Sequence, residues 1–176
     1  MKKLLLTLSL FAGTFLYSFS QTKTTNGPKI SLGVDVGLPT GAAQDVYSVV
    51  YGASVKAEFP IAASSFNFTV TAGFSSFSVK GMYSPYLTNA NYIPIEVGGR
   101  IYANSVIFLE GNIGASISAN SNYTGPNTAL IYAPAIGIIS SPNSNNGQLD
   151  LSLRYEGRVE PGGTISQIAL RLAYRF

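Results

Sequence analysis

The residues that could do chemistry in this 176-residue chain are its carboxylates and its cations, because it contains no histidine and no cysteine. Without an imidazole, no serine–histidine or aspartate–histidine pair can form for nucleophilic catalysis. Without a thiol, no disulfide and no thiolate metal site can form. Two carboxylates such as Glu96 and Glu110 could act as general acid and base. Carboxylates alone could also bind a metal ion, but no calcium-loop pattern accompanies them.

The elements that must position these groups are eight strands, each marked by apolar residues at every second position. They run from Lys29 to Leu38, Tyr47 to Ile61, Phe66 to Val79, Tyr92 to Ala103, Ile107 to Ile117, Leu130 to Ile138, Leu149 to Val159 and Ile168 to Phe176. In the third strand the apolar phase changes after Phe74, which predicts a β-bulge near Ser75 and Ser76. Pro94 and Pro134 each remove a ladder donor, so we expect both near the outer ends of their strands.

The charged residues within the predicted strands all fall on the face opposite the apolar one. They are Asp35, Lys56, Glu58, Glu96, Arg100, Glu110, Asp150, Arg154, Glu156, Arg158, Arg171 and Arg175. Half are basic and half acidic, so the set is formally neutral. All of them except Arg158 form the predicted lumen charge network. In this interpretation Glu96 and Glu110 offset arginines, and we predict no catalytic residue, no cofactor and no metal site.

Alternation alone does not decide which face is wet. A secreted β-sandwich or a soluble lipocalin-type barrel turns its apolar face inward, whereas a membrane barrel turns it towards lipid. The even strand number favours the membrane barrel, and so does a charged fraction of 11%, against about a quarter in soluble domains. The predicted fold class is therefore all-β, an eight-stranded antiparallel up-and-down transmembrane β-barrel. An interior of that size is only wide enough for side chains to fill it, so we predict no open aqueous pore.

The first twenty residues have the pattern of a secretory signal peptide. Lys2 and Lys3 precede the apolar run from Leu4 to Leu16, and the small residues Ser18 and Ser20 precede a cleavage site at Gln21. The run is too short to span a bilayer. The predicted organisation is a signal peptide at 1–20, a short leader at 21–28 and a barrel domain at 29–176. Cleavage near Ser20 would release the barrel domain after export.

The last strand resembles the C-terminal strand of outer-membrane β-barrels from Gram-negative bacteria. Its apolar positions end on Leu172, Tyr174 and Phe176, with Arg171 and Arg175 on the other face. The resemblance implies that Leu172, Tyr174 and Phe176 form the assembly signal read by the barrel-insertion machinery. By strand count and layout, the chain resembles the small OmpA-type and OmpX-type barrels. The stretches YIPIEVGGRIY, FLEGNIGASIS and LDLSLRYEGR resemble strands of outer-membrane β-barrel domains in general. The location that this resemblance implies is the bacterial outer membrane.

The longer connections carry tyrosine among small polar residues. Tyr83 and Tyr86 lie in the connection Gly81–Asn91, and Tyr123 lies in Ala119–Thr128. Tyrosine beside serine and asparagine combines rigid contact area with adaptable hydrogen bonding. These three residues are therefore the predicted loop contacts for a surface ligand or an envelope protein. The alternative is that they belong only to the aromatic girdle at the membrane interface.

The predicted function is a non-enzymatic outer-membrane barrel with a structural or surface-interaction role, and its partners are outer-membrane lipid and the insertion machinery. Removing Lys2 and Lys3 lowers the net charge from +3 to +1, which gives no indication of nucleic-acid binding. Two alternatives stay open. One is a narrow channel for small apolar solutes, as in OmpW-like barrels, and the other is a subunit of an envelope secretion or assembly machine.

Overall fold

The computed structural model of the chain describes residues 27–61, 64–120, 127–140 and 147–176. The predicted signal peptide, most of the leader and the loop residue Tyr123 lie outside these ranges. None of the helices in the described ranges is long and apolar enough to cross a membrane.

The described residues form a closed barrel in which every strand pairs antiparallel with the next one along the chain. The strands are β1 Lys29–Thr40, β2 Tyr47–Pro60, β3 Phe66–Val79, β4 Ala90–Tyr102, β5 Ile107–Ser118, β6 Thr128–Ser140, β7 Gln148–Glu160 and β8 Gly163–Arg175. A single helical turn, α1 (Ala43–Val46), connects β1 to β2. β8 closes the barrel by pairing with β1, and Asp35 lies opposite Arg171 across that seam. The predicted eight-stranded up-and-down barrel is confirmed.

The side chains of this barrel are arranged inside out relative to a soluble domain. The alternating leucine, isoleucine and valine side chains point outwards, and many of them are about half exposed, as Val34 and Leu170 are. The twelve charged side chains of the predicted strands point inwards, and all of them but the half-buried Asp35 are buried. Because successive side chains of a strand point to opposite faces, one choice of register places all twelve in the lumen. This distribution is that of a transmembrane barrel.

The two ends of the barrel differ in their connections. β1 begins and β8 ends at one end, which we call the terminal end. The opposite end, the loop end, carries α1, the β3–β4 loop at residues 80–89 and a tight turn between β7 and β8. That turn is Pro161–Gly162, closed by the pair Glu160 and Gly163. Gly162 has a φ of +100°. Residues with a side chain rarely adopt this backbone conformation, so glycine suits the position.

The predicted bulge at Ser75 and Ser76 is wrong. Both residues keep one register with β2 and β4, and the extra residue lies instead in β2, between Tyr47 and Val49. Phe77 has the parity of a lumen residue and is buried inside the barrel. The change of apolar phase therefore marks a place where an aromatic side chain enters the lumen.

The predicted position is confirmed for Pro94 and wrong for Pro134. Pro94 is the fifth residue of β4 and lies towards the loop end, as expected, but Pro134 lies in the middle of β6. The β6–β7 register is interrupted at Pro134, between the pairs Tyr132–Gly157 and Ala135–Arg154. The pairing keeps the same register on both sides, so the missing donor of Pro134 interrupts the ladder only locally.

Candidate functional site

Arg100 of β4 is the centre of the charge network in the half of the lumen nearest the terminal end. Its Nη2 lies 2.6 Å from Glu110 Oε2 and 2.8 Å from Asp150 Oδ2, and its Nη1 lies 3.2 Å from Glu58 Oε2. The guanidinium also lies 3.7 Å from the ring centroid of Phe108. Arg100 is completely buried, so its charge is compensated entirely by these neighbours. Strands β2, β4, β5 and β7 are thereby tied together across the lumen.

The carboxylates around Arg100 have further partners. Lys56 Nζ donates a hydrogen bond to Glu110 Oε1 and forms an ion pair with it. Glu58 accepts hydrogen bonds from Asn67 and, at 2.6 Å, from the Tyr102 hydroxyl. The hydroxyl of Tyr102 in turn accepts a hydrogen bond of 2.6 Å from Arg175 Nη1.

The last strand joins the same network through both of its arginines. Arg175 lies 3.4 Å from Glu58, and Arg171 Nη1 lies 4.0 Å from Asp150 Oδ2. Arg171 also donates to Ser54 at 3.0 Å. β8 is therefore tied to β2, which is not its neighbour in the sheet, as well as to its neighbours β1 and β7.

A second group of charges occupies the middle of the lumen around Arg154. Its Nη2 bridges Glu96, to which it donates a hydrogen bond, and Glu156, which lies 2.7 Å away. Glu156 also accepts a hydrogen bond of 3.2 Å from Gln167 Nε2. Asp35 accepts one of 3.3 Å from Ser54. Two carboxylates thus share the Arg154 guanidinium, while Asp35 lies opposite Arg171 in the β1–β8 pairing.

The loop end of the lumen is closed by apolar and aromatic side chains. Val50, Phe77, Ala90 and Tyr92 form a buried cluster, with Tyr47 and Ile165 packed against it. The guanidinium of Arg158 lies 4.2 Å from the Tyr92 ring centroid and forms an ion pair of 2.5 Å with Glu160. The sequence analysis did not predict this cluster. Its one sign in the sequence is the break in the apolar alternation of β3 before Phe77.

β6 supplies a wall of the lumen that carries no charge. Its buried positions are Ala129, Ile131, Ala133 and Ile139. Phe108 of the neighbouring strand is also fully buried. These uncharged residues leave room for the long charged side chains that cross the lumen from other strands. The pattern of charged residues in the sequence did not predict this uncharged wall.

The β3–β4 loop is an ordered projection from the loop end. Amide hydrogen bonds within it run from Tyr86 and Leu87 to the carbonyl of Tyr83, both at 2.9 Å. Asn120 of the next loop holds its base, because its Nδ2 donates to the carbonyl of Asn89 at 2.7 Å. Tyr86 is 86% exposed and Tyr83 37% exposed, and Met82 and Leu87 are exposed beside them. The structure brings Tyr83 and Tyr86 together on one loop, while Tyr123 lies outside the described residues.

The residues of the predicted assembly signal lie on the outer surface of β8 and at the end of the chain. Leu172, Tyr174 and Phe176 are all exposed. The Phe176 amide donates to the carbonyl of Ile30 at 2.9 Å, and its ring meets Tyr174 edge to face at 4.9 Å.

Among the described residues, no group of three or more Asp or Glu side chains is arranged to hold a metal ion.

Comparison with known proteins gives likenesses of fold. No protein-family model and no curated protein sequence matches the chain. The attachment invasion locus protein Ail of Yersinia pestis has 15% identity and a TM-score of 0.53, covering 85% of this chain and 97% of Ail. The outer-membrane enzyme PagL has 10% identity and a TM-score of 0.54, covering 81% of this chain and 97% of PagL.

The N-terminal β-barrel domain of OprF from Pseudomonas aeruginosa is similar in the same way. It has 9% identity and a TM-score of 0.51, covering 84% of this chain and 97% of that domain. These neighbours include an attachment protein, an enzyme and a barrel domain, so the shared architecture fixes no activity. What they share with this chain is the closed eight-stranded barrel, and the chain therefore has the fold of the small outer-membrane β-barrel proteins.

Proposed function

We propose that the chain is a barrel of the bacterial outer membrane that does not conduct solutes and that presents its β3–β4 loop to an uncharged surface ligand. The observation that carries this proposal is the combination of a lumen filled by paired charges with a loop, fixed by its own hydrogen bonds, whose tyrosine side chains are exposed. The apolar outer wall supports the location, since only lipid would cover it on all sides.

The lumen is obstructed at two levels. Arg100 and its three carboxylate partners cross it near the terminal end. Phe77, Tyr92 and their neighbours fill it at the loop end. A solute would have to separate buried ion pairs and also displace packed rings, and both changes cost several kcal/mol.

We therefore expect the purified barrel in planar lipid bilayers to show no steady single-channel conductance. Replacing both Arg100 and Arg154 with serine is the matched test, because it shortens the two guanidinium side chains that cross the lumen and leaves the outer wall unchanged. If that variant folds, its ion conductance across the bilayer should exceed that of the unmodified protein. Steady conductance from the unmodified protein would instead favour a transport role.

The β3–β4 loop has the properties of a prepared contact surface. Its own hydrogen bonds and the clamp from Asn120 fix its shape, so little conformational entropy remains to be lost on binding. Lys80 is its single charged residue. Ail has been observed with the heparin analogue sucrose octasulfate, a polyanion, but one lysine is a poor counterpart for such a ligand. Exposed tyrosine beside serine and threonine suits an uncharged ligand such as a neutral glycan.

Replacing Tyr86 with alanine should therefore weaken binding of neutral oligosaccharides by about tenfold or more, as expected for an aromatic anchor worth at least 1.4 kcal/mol. The measurement is binding of the detergent-solubilised barrel to an array of neutral oligosaccharides. Tyr155→Ala on the lipid-facing wall is the control and should bind as the unmodified protein does. If replacing residues 81–88 with glycine and serine leaves glycan binding unchanged, the loop is not the contact site.

The role of Leu172, Tyr174 and Phe176 in assembly stays a prediction from the resemblance of the last strand. Their exposure on the outer wall supports it, because an insertion machine could contact them in the folded or nearly folded barrel.

A further inference from the structure

The β3–β4 loop that carries Tyr83 and Tyr86 is not held by packing against a core. Every residue from 81 to 89 is exposed. A segment with few buried apolar contacts opens locally at a small cost in free energy. The shape of this loop therefore depends on its hydrogen bonds, and the bonds that join its two ends decide whether it stays closed.

The end of the loop is joined to its beginning by the side chain of Asn89. Its Oδ1 accepts a hydrogen bond of 3.0 Å from the amide of Val79, the last residue of β3. The next amide, that of Lys80, donates to the carbonyl of Val46 at 2.9 Å. The loop therefore has a closed neck, as is typical of compact surface loops whose ends lie close together.

A second asparagine holds the same neck from the β5–β6 connection. Asn120 Oδ1 accepts a hydrogen bond of 2.6 Å from the amide of Asn91, and its Nδ2 donates one of 2.7 Å to the carbonyl of Asn89. Beside it, the amide of Ala119 donates to the carbonyl of Asn91 at 2.8 Å. The carboxamide of Asn120 thus presents one acceptor and one donor to the chain opposite, as a backbone peptide group does.

We infer that Asn89 and Asn120 are positioning residues for the contact surface formed by Tyr83 and Tyr86. This inference rests on the proposed function, because it names the groups that hold the β3–β4 loop in its binding shape. The two asparagines act through different atoms. Asn89 closes the neck through its side-chain oxygen, whereas Asn120 uses both its oxygen and its amino group.

This difference provides a test in which one substitution has opposite outcomes at two positions. Aspartate has the size of asparagine and keeps an acceptor oxygen, but when ionised it has no side-chain donor. Asn89→Asp should therefore keep the neck closed. Asn120→Asp should open it, because an oxygen that the Asn89 carbonyl repels replaces the donor. Both variants add the same negative charge at the loop end, and both positions lie outside the strands of the barrel.

Hydrogen exchange of the full barrel in detergent micelles, followed by nuclear magnetic resonance, measures the order of the loop without any ligand. The reporters are the amides of Tyr86 and Leu87, which donate to the carbonyl of Tyr83. Their exchange should become about tenfold faster in Asn120→Asp, as expected for the loss of one or two hydrogen bonds, and should stay unchanged in Asn89→Asp. Binding to neutral oligosaccharides should weaken about fivefold in Asn120→Asp only, because the apparent affinity falls with the fraction of molecules in the binding shape.

Equal exchange rates in the two variants would overturn the inference, because the Asn120 donor would then not hold the loop. Faster exchange in Asn120→Asp with unchanged binding would also overturn it when Tyr86→Ala does weaken binding, since the asparagine would then order the loop without positioning the contact surface. If Tyr86→Ala leaves binding unchanged, the proposed function fails instead, and the exchange rates still decide whether the neck holds the loop. Asn104→Asp makes the same change in the short turn at the terminal end, where the Asn104 oxygen accepts from the amide of Val106. It is the control and should change neither exchange nor binding.

Discussion

Replacing Arg100 with methionine is expected to lower the free energy of unfolding of the barrel by about 3–5 kcal/mol, the usual consequence of removing one partner of a buried ion pair. Methionine fills part of the volume that the arginine stem occupied, so the loss is mainly electrostatic. Among the described residues, Asp150 would then keep an ion-pair contact only with Arg171, at 4.0 Å. Glu58 and Glu110 would keep Arg175 and Lys56 respectively.

The measurement is urea unfolding in detergent micelles, followed by the shift of the folded band on unheated gels. The double variant Arg100→Met with Asp150→Asn is the informative control. It removes the carboxylate left with the weakest ion pairing, so it should recover part of the lost stability. The free energy of unfolding of Arg100→Lys should lie between those of Arg100→Met and the unmodified protein. Lysine restores the positive charge but lacks the planar guanidinium geometry. A single variant within 1 kcal/mol of the unmodified protein would show that the neighbouring cations rearrange to replace Arg100.

The parts of the fold that follow from alternation were predictable from the sequence. A strand that turns every second residue to lipid must be apolar at those positions, so the sequence shows β1 to within two residues. β8 begins at Gly163, five residues before the predicted Ile168, because its first residues are polar. The same parity places Glu96 and Arg100 in the lumen. Even the pair Arg100 and Glu110 is foreseeable, because they lie opposite each other in the β4–β5 hairpin.

The contacts across the lumen were not predictable in this way. Lys56 of β2 reaches Glu110 of β5, and Arg175 of β8 reaches Tyr102 of β4. These strands are not neighbours in the sheet, so no register relates the two side chains. Their meeting depends on the curvature of the closed barrel and on the space that the small residues of β6 leave.

The misplaced bulge has a similar cause. An apolar residue out of phase can mark either an inserted residue or an apolar side chain in the lumen, and a single sequence does not distinguish the two. At Phe77 the second explanation holds, since its ring packs against Tyr47 and Tyr92 with centroids 5.5 and 5.7 Å apart. At the loop end, aromatic packing thus fills much of the space that ion pairs fill in the rest of the lumen.

A second large effect is expected where two strands approach closely. Gly114 of β5 lies opposite Glu96 of β4. A Cβ atom on Gly114 would lie 2.0 Å from the carbonyl oxygen of Ile95 and 2.7 Å from the Cα atom of Glu96. Both are backbone atoms and cannot turn away, so β4 and β5 would have to separate beside Glu96. We expect Gly114→Ala to destabilise the barrel by about 1–3 kcal/mol, the usual cost of overpacking.

Gly111, three residues earlier in the same strand, is the matched control for Gly114. A Cβ atom there would have no heavy atom within 4 Å, and neither glycine has a positive φ. Gly111→Ala should therefore be neutral or stabilising by up to about 1 kcal/mol, because alanine restricts the unfolded chain. Urea unfolding of the two variants in the same detergent measures the contrast. Equal stability of both would mean that β4 and β5 can separate at Gly114 without loss, and that the close approach does not hold Glu96 in place.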